Sequence, residues 1–100
     1  MIKVIIKGKN DEIEIHGHAR YDDCGKDIVC SGVSGIVTTS VNAILTFDKN
    51  YITYENLKDD FKIVVNKHDY IVDNLIQNMI NMLKEIENDY PKNIKIRKEN

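Results

Sequence analysis

Gly17-His18-Ala19-Arg20-Tyr21-Asp22-Asp23-Cys24-Gly25-Lys26-Asp27-Ile28-Val29-Cys30-Ser31-Gly32-Val33-Ser34 is the stretch on which the fold turns. Before it the apolar residues recur at every second position, and after it at every third or fourth, so here a sheet hands the chain to a helix. Upstream, Glu12-Ile13-Glu14-Ile15-His16 alternates with Ile13 and Ile15 toward one face. Continued, that register puts Gly17 on the core side and His18 on the solvent side, at or just past the strand end. Downstream, Val29, Val33, Ile36, Val37, Val41, Ile44 and Leu45 share one helical face, and Asp27 is a good N-cap. Between the two periods Asp22, Asp23 and Gly25 mark a long loop, and loops of this length often carry function.

Working outward, Ile2, Val4 and Ile6 give a first strand, ended by the turn residues Gly8 to Asp11. Past the first helix, Tyr51 to Glu55 and Phe61 to Val65 have strand composition, with Asn56 to Asp60 as their polar connection. Asp69 caps a second helix whose Val72, Leu75, Ile76, Met79, Ile80, Leu83 and Ile86 form one stripe, expected as core or dimer interface. Asn88-Asp89-Tyr90-Pro91 stops it, and Asn93 to Arg97 makes a last strand before a charged tail. The first helix carries Gly32 and Gly35, each costing about 1 kcal/mol relative to Ala, but its small residues at 31, 32, 34 and 35 let another backbone come close. The expected order is ββαββαβ: an α+β fold of one domain, residues 1–100, with a mostly antiparallel sheet packed with two helices.

One hundred residues, 42% hydrophobic and 30% charged, suffice for one core without disulfides or a structural metal. A net charge of −2 and no Lys/Arg run argue against direct nucleic-acid binding. No apolar run is read as long enough to span a bilayer, and the start Met1-Ile2-Lys3-Val4 lacks a signal peptide's features, so neither membrane nor secretion is expected. The cytoplasm is the expected location, and two cysteines there are expected as thiols.

A cysteine becomes a nucleophile as its thiolate, which a helix N-terminus and a neighbouring histidine both favour. With Asp27 as N-cap, Cys30 is the third helical residue, near the positive dipole end and the unpaired N–H groups, which can also serve as an oxyanion hole. His18 is then the candidate base toward Cys30 and acid toward a leaving amine. Asp27 can orient His18 or the loop, and Ser34, one turn after Cys30, faces the same way. The plainer readings are a small core cysteine, a solvated histidine, a simple cap and a packed serine. Metal binding is the rival, because His16, His18, Cys24 and Cys30 supply four plausible ligands, although no CxxC or HxxxH pair is present. Cys24 reads as a loop cysteine or a resolving thiol. Asp22 and Asp23 read as solvated or as attracting a basic polypeptide, and His68 as solvated.

Gly17-His18-Ala19, the loop ending Gly25-Lys26-Asp27-Ile28-Val29-Cys30, then Ser31-Gly32-Val33-Ser34 and Ser40-Val41-Asn42-Ala43-Ile44 resemble the signature of the ribosomal-processing cysteine proteases of the Prp family. The resemblance implies a catalytic dyad of His18 and Cys30, with Asp27 and Ser34 supporting it, and no cofactor or metal. It also implies removal of a short N-terminal extension from the precursor of large-subunit ribosomal protein L-twenty-seven, a homodimer, and a gating loop between His and Cys. Cys24 and the run Ser31-Gly32-Val33 depart from the family pattern without touching the dyad. The alternative is a non-catalytic ribosome-associated or zinc-binding module.

Overall fold

The computed structural model describes residues 1–17, 28–57 and 60–100. Its elements are β1 (Ile2–Lys7), β2 (Glu12–His16), α1 (Ile28–Phe47), β3 (Ile52–Leu57), β4 (Asp60–Val65), α2 (Tyr70–Asp89) and β5 (Ile94–Glu99), in the ββαββαβ order expected. The strands form one sheet in the order β3-β4-β2-β1-β5. Three of its pairings are antiparallel, and β1 with β5 is parallel. The sequence pattern placed the strand ends less well than the strands. β3 and β4 run to Leu57 and Asp60, into residues expected as a connection, and β5 runs through the charged tail to Glu99. Backbone pairing explains both, since polar side chains at a sheet end leave the ladder intact; Gly8 N–H, for example, donates to Glu99 O at 2.8 Å.

One face of the sheet supplies Ile2, Val4, Ile6, Ile13, Ile15, Ile52, Ile63, Val65 and Ile94 to the core. Onto it α1 lays Val29, Val33, Val37, Val41 and Ile44, and α2 lays Val72, Ile76, Met79, Ile80 and Leu83, all in one continuous cluster. Most of the α2 stripe is therefore core, with Leu75 and Ile86 half-buried against it. The helices run antiparallel, so the C-terminal end of α2 meets the start of α1, and Ile86 Cδ1 lies 3.4 Å from where a Cβ on Gly32 would sit. A methyl group on Gly32 would meet that side-chain end at ordinary contact distance.

One expectation is overturned. The twenty residues of α1 carry no charge, and by length and composition they do suffice to cross a membrane. In the fold this helix is amphipathic, with valines against the sheet while Ser31, Ser34, Thr38, Thr39 and Asn42 face outward. The small Val and Gly side chains that raise its apolar character are those that let it pack closely.

Candidate active site

The strand order places the end of β2 in the middle of one end of the sheet. There Leu57, Asp60, His16, Lys3 and Lys95 form a row across all five strands. Gly17 follows with φ +87°, and a Cβ there would lie 3.0 Å from the carbonyl oxygen of Met1, so only glycine suits the strand exit. His18, Asp22, Asp23, Cys24 and Asp27 lie outside the described residues, as does the loop expected to join β2 to α1. Of the dyad only Cys30 is therefore in view, and of the rival metal set only His16 and Cys30. Among the described residues no group of three or more His, Cys, Asp or Glu side chains could hold a metal ion.

Cys30 sits in the first turn of α1, at the end of the sheet from which β2 exits. Its side chain is half-buried against the core. Ser34, one turn on, is exposed, and Thr38, another turn on, lies beside the hydroxyl of Tyr54 on β3. Cys30, Ser34 and Thr38 thus form one ridge on the β3 flank of α1, at the i, i+4 spacing that puts side chains in line. The opposite flank of α1 forms a groove of about 420 Å³ with α2, from Ser31 to Ala43. Ser34 does share a side with Cys30, as its spacing implied.

The last residue of β2 is held from both sides. His16 Nε2 is 2.9 Å from Glu14 Oε1, and Nδ1 is 3.2 Å from Asp60 Oδ1 on the neighbouring strand. With a carboxylate at each ring nitrogen, chiefly Glu14, its pKa is raised and the imidazolium is favoured. Glu14 in turn accepts from Lys7 Nζ at 2.7 Å, and that bond, with those to Glu12 and His16, holds its carboxyl down to about 2. The chain Glu12, Lys7, Glu14, His16, Asp60 ties the end of β2 to the sheet.

His68, expected as solvated, is instead a bridge between two elements. Its Nδ1 lies 2.5 Å from Asp73 Oδ1 and its Nε2 2.7 Å from Asp11 Oδ1, joining the first turn of α2 to the β1–β2 turn. Asp73, five residues on, was legible as a partner at a helix start; Asp11, 57 residues away, depends on the folded topology.

A model of the family described as cysteine protease Prp matches residues 1–95. The ribosomal processing cysteine protease Prp of Staphylococcus aureus is 35% identical over 98 residues, spanning 95% of this chain and 92% of that protein. The protein of the same description from Bacillus subtilis is 28% identical over 111 residues, spanning 96% of each. The crystal structure of the S. aureus protease in complex with a covalently linked product peptide superposes with a TM-score of 0.91, at 30% identity, covering 99% of this chain and 100% of that one.

A mixed sheet backed by two helices, one of which carries a cysteine in its first turn, together with matches that run the length of the chain, define a cysteine protease. The chain belongs to the Prp family of ribosomal-processing cysteine proteases, the family that its sequence resembles.

Proposed function

We propose that this protein is an endopeptidase that removes the N-terminal extension of the precursor of ribosomal protein L-twenty-seven, with Cys30 as nucleophile and His18 as general base and acid. The observation that carries this reading is the seat of Cys30 in the first turn of α1, at the end of the sheet from which β2 runs into Gly17 and, next in sequence, His18. The positive end of a helix favours thiolate over thiol. His18 takes the thiol proton, the sulfur attacks the scissile carbonyl carbon, and the C–N bond breaks as the imidazolium returns that proton to the leaving amine. A thioester remains on Cys30. Water, giving a proton to His18, attacks it; the C–S bond breaks, the thiolate takes the proton back, and the acid product leaves.

In the same reading Asp27 caps α1 and orients His18, and Ser34 presents its hydroxyl toward the peptide from the ridge it shares with Cys30. The enzyme works in the cytoplasm as a homodimer, which light scattering on the purified protein checks. The test of function is mass spectrometry of the N-terminal precursor peptide of L-twenty-seven from the same organism, incubated with wild type, Cys30→Ala and His18→Ala. Cleavage at one bond by wild type alone supports the assignment. An intact peptide and an intact full-length precursor in all three incubations would overturn the substrate, whereas cleavage by either variant would overturn the dyad.

A further inference from the structure

The sheet has two edges, and they are treated differently. On the β5 edge, Glu87 of α2 reaches over and accepts the N–H of Ile96 at 2.8 Å, and the strand itself reads Lys95-Ile96-Arg97-Lys98-Glu99. A blocked, charged edge of this kind resists pairing with another chain. On the β3 edge the phase of the ladder is set by Asn66 N–H, which donates to Tyr51 O at 2.8 Å. With Tyr51 opposite Asn66, the bonded pairs that follow are Thr53 with Val64 and Glu55 with Lys62. Val65 N–H fits this phase, since it turns the other way, to Asp11 O at 2.8 Å. The backbone groups of Tyr54 and Asn56 therefore point off the sheet, and no described residue pairs with them.

The open edge leads to the nucleophile. α1 and β3 run antiparallel, with Thr38 beside Tyr54. Four helical residues advance about 6 Å and two strand residues about 6.6 Å. Stepping from Thr38 to Ser34 thus matches stepping from Tyr54 to Asn56, and Cys30 comes level one further step on. Phe61 stacks on Tyr54 with centroids 6.2 Å apart, and the two half-buried rings face the helix side of the sheet, where alternate side chains of an added strand would rest. The Tyr54 hydroxyl is screened from water with Thr38 beside it, and a docked chain can offer it a further hydrogen bond.

We propose that the substrate peptide docks as an added strand on the open edge of β3, pairing with the outward backbone groups of Tyr54 and Asn56, so that its scissile bond falls beside Cys30 about two residues further on. This deepens the proposed endopeptidase function and rests on it. Peptide is the occupant because the related S. aureus protease has been solved with a peptide covalently linked, and because strand addition lets an enzyme grip an extended chain mainly by its backbone.

Two measurements test it with the L-twenty-seven precursor peptide. The first is a scan of backbone N-methylation along the peptide against wild-type enzyme: every second position N-terminal or C-terminal to the cut should lose at least tenfold in kcat/KM, and the positions between should lose little. The second is Asn56→Pro, which deletes an outward N–H while leaving the β4 pairing intact. It should raise KM at least tenfold while Cys30 reacts with iodoacetamide at the wild-type rate. Methylation tolerated throughout, or losses without alternation, or a folded Asn56→Pro enzyme with wild-type kcat/KM, would overturn the docking alone. If Asn56→Pro does not fold, the methylation scan decides. A wild-type enzyme that leaves the unmodified peptide intact overturns the substrate and its docking together.

Discussion

The two helices have the same length and pack on the same sheet, yet they are built to different ends. α2 follows the local rules at its start and along its buried face. Its apolar residues fall on one stripe, and Asp69, extended at φ −155°, accepts from Val72 N–H at 3.0 Å. The same carboxylate accepts from the Tyr51 hydroxyl at 2.5 Å, and that bond first, then the cap, lowers its pKa. α1 breaks several rules: it is rich in β-branched residues, carries no charge and contains two glycines. A Cβ at Gly32 would meet only Ile86 Cδ1, at 3.4 Å, and one at Gly35 would meet nothing within 4 Å. Departures that internal packing does not require gather where a protein does its chemistry. We read α2 as the helix that holds the fold and α1 as the helix that carries the site.

The largest effects come from setting Cys30→Ala beside Leu83→Ala. Removing the thiol should abolish peptide cleavage while changing Tm by only a few degrees, because the residue is small and half-buried. Leu83 is fully buried, so its truncation should cost about 2–5 kcal/mol, a large share of the stability of a domain this size, and lower Tm by about 10 °C or more. Cleavage by the Leu83→Ala enzyme at a temperature where it stays folded should be close to wild type. If Cys30→Ala were as destabilised as Leu83→Ala, the division of labour between the helices would be wrong.

Asp69→Ala sharpens the comparison on the α2 side. It strips the cap from Val72 and the partner from Tyr51, so Tm should drop by several degrees with kcat unchanged, read by thermal unfolding and peptide cleavage. A loss of kcat at a temperature well below Tm would mean that α2 reaches the site after all. Gly35→Ala is the smaller counterpart on α1. Where a helical glycine has room for a methyl group, alanine stabilises by about 0.4–1 kcal/mol, so Tm should rise by a few degrees. An unfolding curve that shifts down instead would show that the glycine has a packing role in the assembled protein.

How much of this was legible in the sequence follows the same division. For α2 the stripe, the cap and the stop at Tyr90 were all readable, because each depends on residues within a few positions; Tyr90 N–H closes the helix by donating to Ile86 O at 2.8 Å. The strands of β1 and β2 were readable by alternation. Strand ends were not, since backbone pairing carried Asn56, Asp60 and Glu99 into the sheet whatever their polarity. For α1 the sequence marked Cys30 and Ser34 as sharing a side, and the fold puts them on one ridge. What it could not show was which strand that ridge faces. That depends on the sheet order, in which β3 is an edge because β4 pairs with β2 across long sequence separations. The pairing of His68 with Asp11 was hidden for the same reason.

That histidine gives the subtlest way to probe the α2 half. Asp73 first, then Asp11, raise its pKa above the ordinary value near 6.5, and burial opposes them only weakly. A group whose folded pKa is raised contributes stability that is fully present below its unfolded pKa and is lost as pH rises through the folded value. The wild type should therefore gain on His68→Gln at pH 6, and the gap should close by pH 8.5. The ring is 40% exposed and its two carboxylates more so, which keeps the contribution in the range of surface pairs, below about 1 kcal/mol. His16, with Glu14 and Asp60 about it, has its pKa raised in the same direction, so the variant should keep part of the wild-type slope. The two contributions separate by function: loss of the His68 bridge should change Tm against pH and leave the pH profile of cleavage alone, because it anchors the start of α2, at the far end of that helix from the site. A cleavage profile that moved with His68→Gln would show the two halves of the molecule to be coupled.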